Sequence, residues 1–326
     1  MNKLDEAIQS ILKRFGPEAI ISDQSKINVE SIPTGSPAID KASGIGGFPM
    51  KRIIEVSGLE SSGKTTLACH VLKGVQDRYQ DDAVGFIDLE QTASRPYLEK
   101  IGVDLSPSRW VFSQPESGEM AFSIIREIIR SEKVRAIALD SVAEVISERE
   151  QESDDNAANI GAHARFMSAA LKTVVPLLTT YNWMLILINQ QRQKPGQLGD
   201  PTYTTGGLAI RQRSSMRIRL MSIKKSSDGK YNDVVARFDK NKLASPHKTA
   251  NFRIVYGEGV DTAYDLADIC VEVGIIIKKG NFYYNKKEEL VARGKNDLIR
   301  WIRSRPKAQK QILKLHRIQL TEKENE

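Results

Sequence analysis

Along the first fifteen positions Leu4, Ala7, Ile8, Ile11, Leu12 and Phe15 recur at intervals of three and four, which predicts an amphipathic helix over 2–15 that Gly16-Pro17 stops. This helix packs either on its own core or on a neighbouring subunit, and the sequence alone leans to its own core. Four short apolar runs follow, at Ile53–Val56, Ala83–Asp88, Val134–Leu139 and Met184–Ile188. Each reads as a strand buried on both faces. Helical spacing fills the gaps: Leu67, Val71, Leu72 and Val75, then Phe122, Ile125, Ile128 and Ile129, then the stretch from Phe166 to Leu178. Strands alternating with helices predict an α/β protein with a mostly parallel central sheet. From Met216 the period drops to two, in Met216-Arg217-Ile218-Arg219-Leu220. A hairpin turn at Asp228-Gly229, a return over Val234–Phe238 and a strand over Phe252–Tyr256 predict an antiparallel extension. Past Asp261 a smaller unit is expected, with a helix near Leu266–Val273, a hairpin through Lys279-Gly280, and helices around Leu298–Trp301 and Ile312–Leu315.

The first strand runs into Gly58-Leu59-Glu60-Ser61-Ser62-Gly63-Lys64-Thr65, the spacing of a phosphate-binding loop, with a helix directly behind it. Gly58 and Gly63 let backbone N–H groups close on phosphate oxygens, and the helix N-terminus adds positive potential there. In this context Lys64 is expected to reach the β- and γ-phosphates of a nucleotide and the Thr65 hydroxyl to ligate Mg²⁺. All four strands end in residues suited to phosphate chemistry: the loop at Gly58, then Glu90, Asp140 and Gln190. Ligands of open parallel sheets bind beyond the carboxyl ends of the strands. Asp140 is therefore expected in the Mg²⁺ shell, and Glu90 as the base that orients or deprotonates a water. Gln190 is expected as an amide that senses the γ-phosphate and switches the loop it roots.

That loop, Gln190–Gly207, is rich in Gly and Pro, without periodicity, and carries Arg192 and Lys194 against one acid, Asp200. Such a segment suits ordering on a polyanion. A second aperiodic region, 148–163, carries Glu148, Glu150, Glu152, Asp154 and Asp155, which argues against a simple electrostatic contact with DNA. Lys240 and Lys242 stand where the second antiparallel strand ends, and the sequence alone reads them as surface charges.

Charge alters this picture at one end. The chain of 326 residues nets +7, and residues 271–326 hold 14 Lys or Arg against 7 Asp or Glu, so the rest is close to neutral. A basic terminal unit points to an anionic partner, nucleic acid before others, or else to a solvated surface. Cys69 and Cys270 lie far apart in apolar helical contexts, which is core usage in a reducing compartment. His70, His163, His247 and His316 form no metal-ligand pattern. The longest apolar run, Trp183–Ile188, is too short for a bilayer, so a cytoplasmic protein with no membrane partner is expected.

Taken together these motifs resemble the RecA family of homologous-recombination ATPases over nearly the whole chain. The resemblance rests on Ser31-Ile32-Pro33-Thr34-Gly35-Ser36, Gly58–Thr66, Phe86-Ile87-Asp88-Leu89-Glu90 and Leu139-Asp140-Ser141-Val142-Ala143. It rests equally on Ile188-Asn189-Gln190, Thr204-Thr205-Gly206-Gly207 and Tyr256-Gly257-Glu258-Gly259-Val260. It implies a RecA-like P-loop ATPase core over 33–262, an N-terminal oligomerisation helix and linker over 1–32, and a basic α+β C-terminal domain over 263–326. Glu90 falls on the family's catalytic glutamate and Gln190 on its γ-phosphate sensor. Glu60, Ser61, Ser62, Thr66, Tyr97, Tyr256 and Gly257 join the nucleotide-binding set. Residues around 148–161 and 191–205 match two loops that grip single-stranded DNA, with Arg165, Arg192, Lys194, Thr205, Gly206 and Gly207 at or beside its path. Lys240 and Lys242 match lysines that reach the neighbouring subunit's ATP. The C-terminal lobe would gather double-stranded DNA, and the first helix would dock on the adjacent protomer of a helical filament.

The pattern is broken at Ser94, where the family has an aspartate near adenine, at Gln212, where an interface phenylalanine is usual, and at Gln91, in place of a histidine. The acidic tail is reduced to Glu322, Glu324 and Glu326. The expectation is thus a divergent recombinase, of bacterial or phage origin, ATP-dependent and filament-forming, that catalyses strand exchange. The rivals are a filament scaffold that barely hydrolyses ATP, a hexameric helicase or translocase on a similar core and, more distantly, a metabolite kinase.

Overall fold

The computed structural model describes residues 2–16, 19–20, 29–145, 156–193, 202–204 and 207–324, with backbone alone at 156–160, 192–193, 202–204 and 317–324. Residues 1–30 form one compact unit and 31–326 another. The first unit holds helix α1 (Lys3–Phe15), capped at Asn2 by a reciprocal pair of hydrogen bonds with Asp5; none of its residues is buried.

The second unit opens with strand β1 (Ser31–Ile32), helix α2 (Pro37–Ser43) and strand β2 (Phe48–Pro49). Then come β3 (Ile53–Gly58), α3 (Lys64–Arg78), β4 (Ala83–Asp88), α4 (Arg95–Ile101), β5 (Trp110–Ser113) and α5 (Gly118–Arg130). β6 (Val134–Asp140), α6 (Asn156–Thr180), β7 (Met184–Gln193), β8 (Thr202–Thr204) and α7 (Gly207–Arg213) complete the alternating part. The antiparallel part is β9 (Met216–Lys225), β10 (Tyr231–Asn241), β11 (Thr249–Val255) and β12 (Gly259–Val260). Last are α8 (Thr262–Glu272), β13 (Ile277–Lys279), β14 (Phe282–Tyr284), β15 (Leu290–Arg293), α9 (Lys295–Arg303) and α10 (Pro306–Glu324).

One ten-stranded sheet runs in the order β12-β11-β10-β9-β3-β7-β6-β4-β5, with β8 on β7. β9, β3, β7, β6, β4 and β5 pair in parallel, and β9 to β12 pair antiparallel. The central parallel strands β3, β4 and β6 and the first part of β7 are largely apolar because both faces are covered, whereas β9 alternates buried with part-exposed positions and then runs out to solvent. On one face Leu67, Val71, Leu72 and Val75 of α3 pack with Ile54, Val56, Ile186 and Ile188. On the other, Phe122, Ile125 and Ile129 of α5 and Leu171 and Val174 of α6 pack with Ile53, Ile137, Leu139 and Leu187. Burying each such side chain stabilises the fold by roughly 1.5–3 kcal/mol. A third cluster joins Leu266 and Cys270 of α8 to Tyr283, Leu298 and Ile302 around the sheet β13-β14-β15. Both cysteines are free and buried.

Several short elements escape the periodicity. β5 and α7 lack a strong pattern of their own, and their residues are held by neighbours. The stretch 190–207 is not wholly aperiodic: β7 continues to Gln193 and pairs with β8 through Gln191–Thr204, Arg192–Tyr203 and Gln193–Thr202. Likewise the region read as a loop over 148–163 is helical from Asn156 onward.

Candidate active site

Since β3, β7, β6 and β4 are adjacent and parallel, their carboxyl ends fall on one edge. Gly58 is level with Gln190, and Asp88 with Asp140. A cleft of 290 Å³ opens there, lined by Glu60, Ser61, Gly63, Lys64, Thr65, Thr66, Glu90, Tyr97, Asp140 and Gln190. Asn232, Ile254 and Tyr256 close it from the antiparallel side. Gly58 and the buried Ser62 stand behind the lining, and Gly257 follows Tyr256 in its turn.

Sterics explain the two loop glycines. A Cβ at Gly58 would lie 2.4 Å from Ser62 Oγ and 2.7 Å from the Leu220 carbonyl. At Gly63, with φ +93°, it would meet Ile254 Cδ1 at 2.0 Å. Helix α3 begins directly after Gly63, so its free N–H groups face the cleft.

Lys64 Nζ donates to the Leu59 carbonyl across 3.0 Å, which curls the ammonium over the loop. Burial lowers its pKa, while Asp140, Glu90 and Glu60 oppose that shift. Thr65 Oγ1 donates to Asp140 Oδ2 at 2.6 Å. Burial pushes the Asp140 carboxyl up to about 7, the Thr65 hydrogen bond pulls it down, and Glu90 adds repulsion. The Asp140 carbonyl accepts from the N–H groups of Leu89 at 2.6 Å and Glu90 at 3.2 Å, so the end of β6 fixes the start of the segment carrying Glu90. Gln190 Nε2 in turn donates to Glu90 Oε1 across 2.7 Å. Beneath the site the fully buried Glu55 accepts from Asn189 Nδ2 at 2.8 Å and is ion-paired with Arg217.

These residues fit a nucleotide triphosphate with Mg²⁺. A side chain at Gly58 or Gly63 would clash with Ser62 and the Leu220 carbonyl or with Ile254, so both glycines keep the loop closed on itself, and an ammonium and a helix N-terminus converge on the cleft it borders. A hydroxyl and a carboxylate lie in contact, as a Mg²⁺ shell needs few protein ligands when phosphates supply others. The buried Ser62 Oγ and Asn232 Nδ2 have no hydrogen-bond partner. Among the described residues no group of three His, Cys, Asp or Glu could hold a metal independently of such a ligand.

The other predicted residues lie elsewhere. Lys240 Nζ donates to the carbonyls of Arg211 at 2.6 Å and Gln212 at 3.1 Å, at the C-terminus of α7. Lys242 lines a separate 460 Å³ cavity with Lys51, Arg52 and Arg213. Arg165 is exposed on α6, and Gly207, with φ +65°, comes close enough that a Cβ would meet Ala164 Cβ at 2.9 Å. Arg192 is placed by its backbone alone, and Lys194, Thr205 and Gly206 lie outside the described residues. Ser94 caps α4 without a side-chain hydrogen bond, and Gln91 and Gln212 are exposed. Asn232 and Ile254 line the cleft without any sequence signal that sets them apart from their strands.

A strand, a phosphate loop, a helix and converging strand-end carboxylates on a mostly parallel sheet define a P-loop nucleotide-binding protein with an antiparallel extension. Residues 2–261 match the RecA N-terminal domain family. The chain is 40% identical over 309 residues to Protein RecA of Aquifex aeolicus, covering 93% of this chain and 88% of that one. It is 38% identical over 314 residues to Protein RecA of Thermotoga maritima, at 93% and 87% coverage. It is 37% identical over 317 residues to Protein RecA of Streptomyces ambofaciens, at 95% and 84% coverage. The chain belongs to the RecA family. Among the described residues no helix is long and apolar enough to cross a membrane.

Proposed function

We propose that this protein is an ATP-dependent DNA recombinase, a DNA-dependent P-loop ATPase that forms helical filaments on single-stranded DNA and pairs it with homologous double-stranded DNA. The observation that carries the reading is the single cleft shared by Lys64, Thr65, Glu90, Asp140 and Gln190 in a RecA-family chain.

In this reading the loop 58–65 binds the phosphates through backbone N–H groups, and Lys64 sets its charge against the β- and γ-oxygens. Thr65 and Asp140 would hold Mg²⁺, which would supply positive charge against the phosphates. Glu90 takes a proton from the water whose oxygen bonds to the γ-phosphorus as the bridge to the β-phosphate breaks. Gln190 trades its bond to Glu90 for one to the γ-phosphate, and its position in β7 passes that change towards the segment after Gln193. Tyr97 and Tyr256 flank the base. Lys240 and Lys242, which do not line their own chain's cleft, complete a neighbour's site across a filament joint, and α1 docks on that neighbour. Arg165, Arg192, Lys194 and Thr205–Gly207 follow the single strand, mostly through its backbone, because base pairing carries the sequence choice. The basic lobe 263–326 collects duplex.

Turnover of ATP with and without single-stranded DNA, across a salt series, tests this. Stimulation that falls steeply with salt is expected. Turnover indifferent to DNA would overturn the reading.

A further inference from the structure

Both side walls of the cleft are tied to the same helix. On α3, Thr66 and His70 are one turn apart. Thr66 Oγ1 is hydrogen-bonded to the hydroxyl of Tyr97 at 2.7 Å. His70 Nε2 accepts from the backbone N–H of Val260 at 2.9 Å. Val260 and Gly259 form β12, which pairs with Ile254 and Val255 of β11, so the turn between them carries Tyr256. Tyr97 and Tyr256 line the cleft on its two sides.

The imidazole is wedged in place. A Cβ on Gly259 would lie 2.3 Å from Nε2, and one on Gly35 would lie 2.9 Å from Nδ1; both glycines have positive φ. The ring therefore fits only because two neighbours have no side chain. Nε2 accepts a hydrogen bond only in the neutral ring with its proton on Nδ1. Burial, with Lys73 adding repulsion, pushes the His70 pKa down to about 4, which keeps the ring neutral at neutral pH, and the Val260 N–H selects the tautomer.

We propose that His70 is a positioning residue for nucleotide binding: its bond to Val260 holds the Tyr256 turn at a fixed spacing from the phosphate-loop helix, and so shapes the pocket for the purine and ribose. The role rests on the nucleotide reading of the cleft. It predicts an effect on binding and not on phosphoryl chemistry, since His70 reaches none of the reacting atoms.

The test measures steady-state ATP turnover of the full chain for His70→Gln and His70→Phe, with thermal unfolding of each. His70→Phe removes the acceptor but keeps a ring, and the KM for ATP is expected to rise about tenfold, the effect of one ordinary hydrogen bond. Its kcat stays within about twofold, because the chemistry keeps its groups. His70→Gln offers an acceptor oxygen and restores most of the lost affinity. Should His70→Phe fail to fold, His70→Leu asks the same question with a smaller side chain. An unchanged KM, a fall in kcat alone, or a Gln variant no better than the apolar one overturns the proposal. Failure of the nucleotide reading is distinguishable: Lys64→Ala would then leave turnover intact, whatever His70 does.

Discussion

Gln190 and Glu90 are joined by a 2.7 Å hydrogen bond from Nε2 to Oε1, linking the candidate γ-phosphate sensor directly to the candidate base. Replacing Gln190 by Glu sets two carboxylates against each other, and like charges at that distance raise one of their pKa values. The acidic limb of the kcat–pH profile is expected to move upward by about one unit or more. An unshifted profile would show that Glu90 is not the group whose ionisation limits turnover.

Among the described residues that line the cleft, Lys64 is the one cation. Removing a preorganised charge of this kind costs about 100- to 1,000-fold in turnover. Lys64→Ala is expected to lose at least that much ATPase activity with an unchanged unfolding temperature, since the ammonium's bond to the Leu59 carbonyl is local. Residual turnover near the parent's would separate the loop from the chemistry.

How far the sequence anticipated this arrangement depends on where each signal lies. The phosphate loop and the strand end at Asp140 were legible because a buried parallel strand is a continuous apolar run, and its end is visible when polarity returns; at Gln190 the same signal marked only the end of the apolar run, since β7 goes on to Gln193 by pairing with β8. α2 and β5 were not, being short and held by contacts with distant segments. Ser36 shows this, since the hydroxyl that caps α2 also binds Asp265, 229 positions away. Asn232 and Ile254 reach the cleft only through the pairing of β10 with β11, a register that neither strand encodes alone. The link from His70 to Val260 was equally hidden, for a lone histidine on an apolar helix has no partner in its own neighbourhood. Lys240 is the converse case: its contacts in this chain, with the Arg211 and Gln212 carbonyls, cap a helix, and only the family pattern draws it towards catalysis.

That proposed role of Lys240 is in trans, and it has a stoichiometric consequence. In a heterologous interface each joint takes one face from each protomer. Glu90→Gln and Lys240→Ala should each be nearly inactive alone. In an equimolar mixture roughly a quarter of joints unite an intact Glu90 face with an intact Lys240 face. ATP turnover of the mixture should therefore recover to about that fraction of the parent's. A mixture no more active than its components would place both residues in one subunit's site, or Lys240 in none.

Asp265 offers a prediction independent of nucleotide. Its Oδ2 accepts from the Ser36 hydroxyl and, at 3.3 Å, from the Ala38 N–H, while Oδ1 has no partner. Burial pushes this carboxyl up to about 8, against bonds that pull it down and repulsion from Asp261 and Asp40 that adds to it. The folded chain thus keeps a proton that the unfolded chain releases near pH 4. Between about pH 4 and 8 folding takes up that proton, so stability falls as pH rises, by at most about 1.4 kcal/mol per unit, and levels off above 8. Asp265→Asn keeps an oxygen for Ser36 and Ala38 and has nothing to titrate. Its unfolding temperature relative to the parent should therefore improve from pH 6 towards pH 8 and level off above that. A gap between the two proteins that does not change with pH would mean the carboxyl is already ionised in the fold.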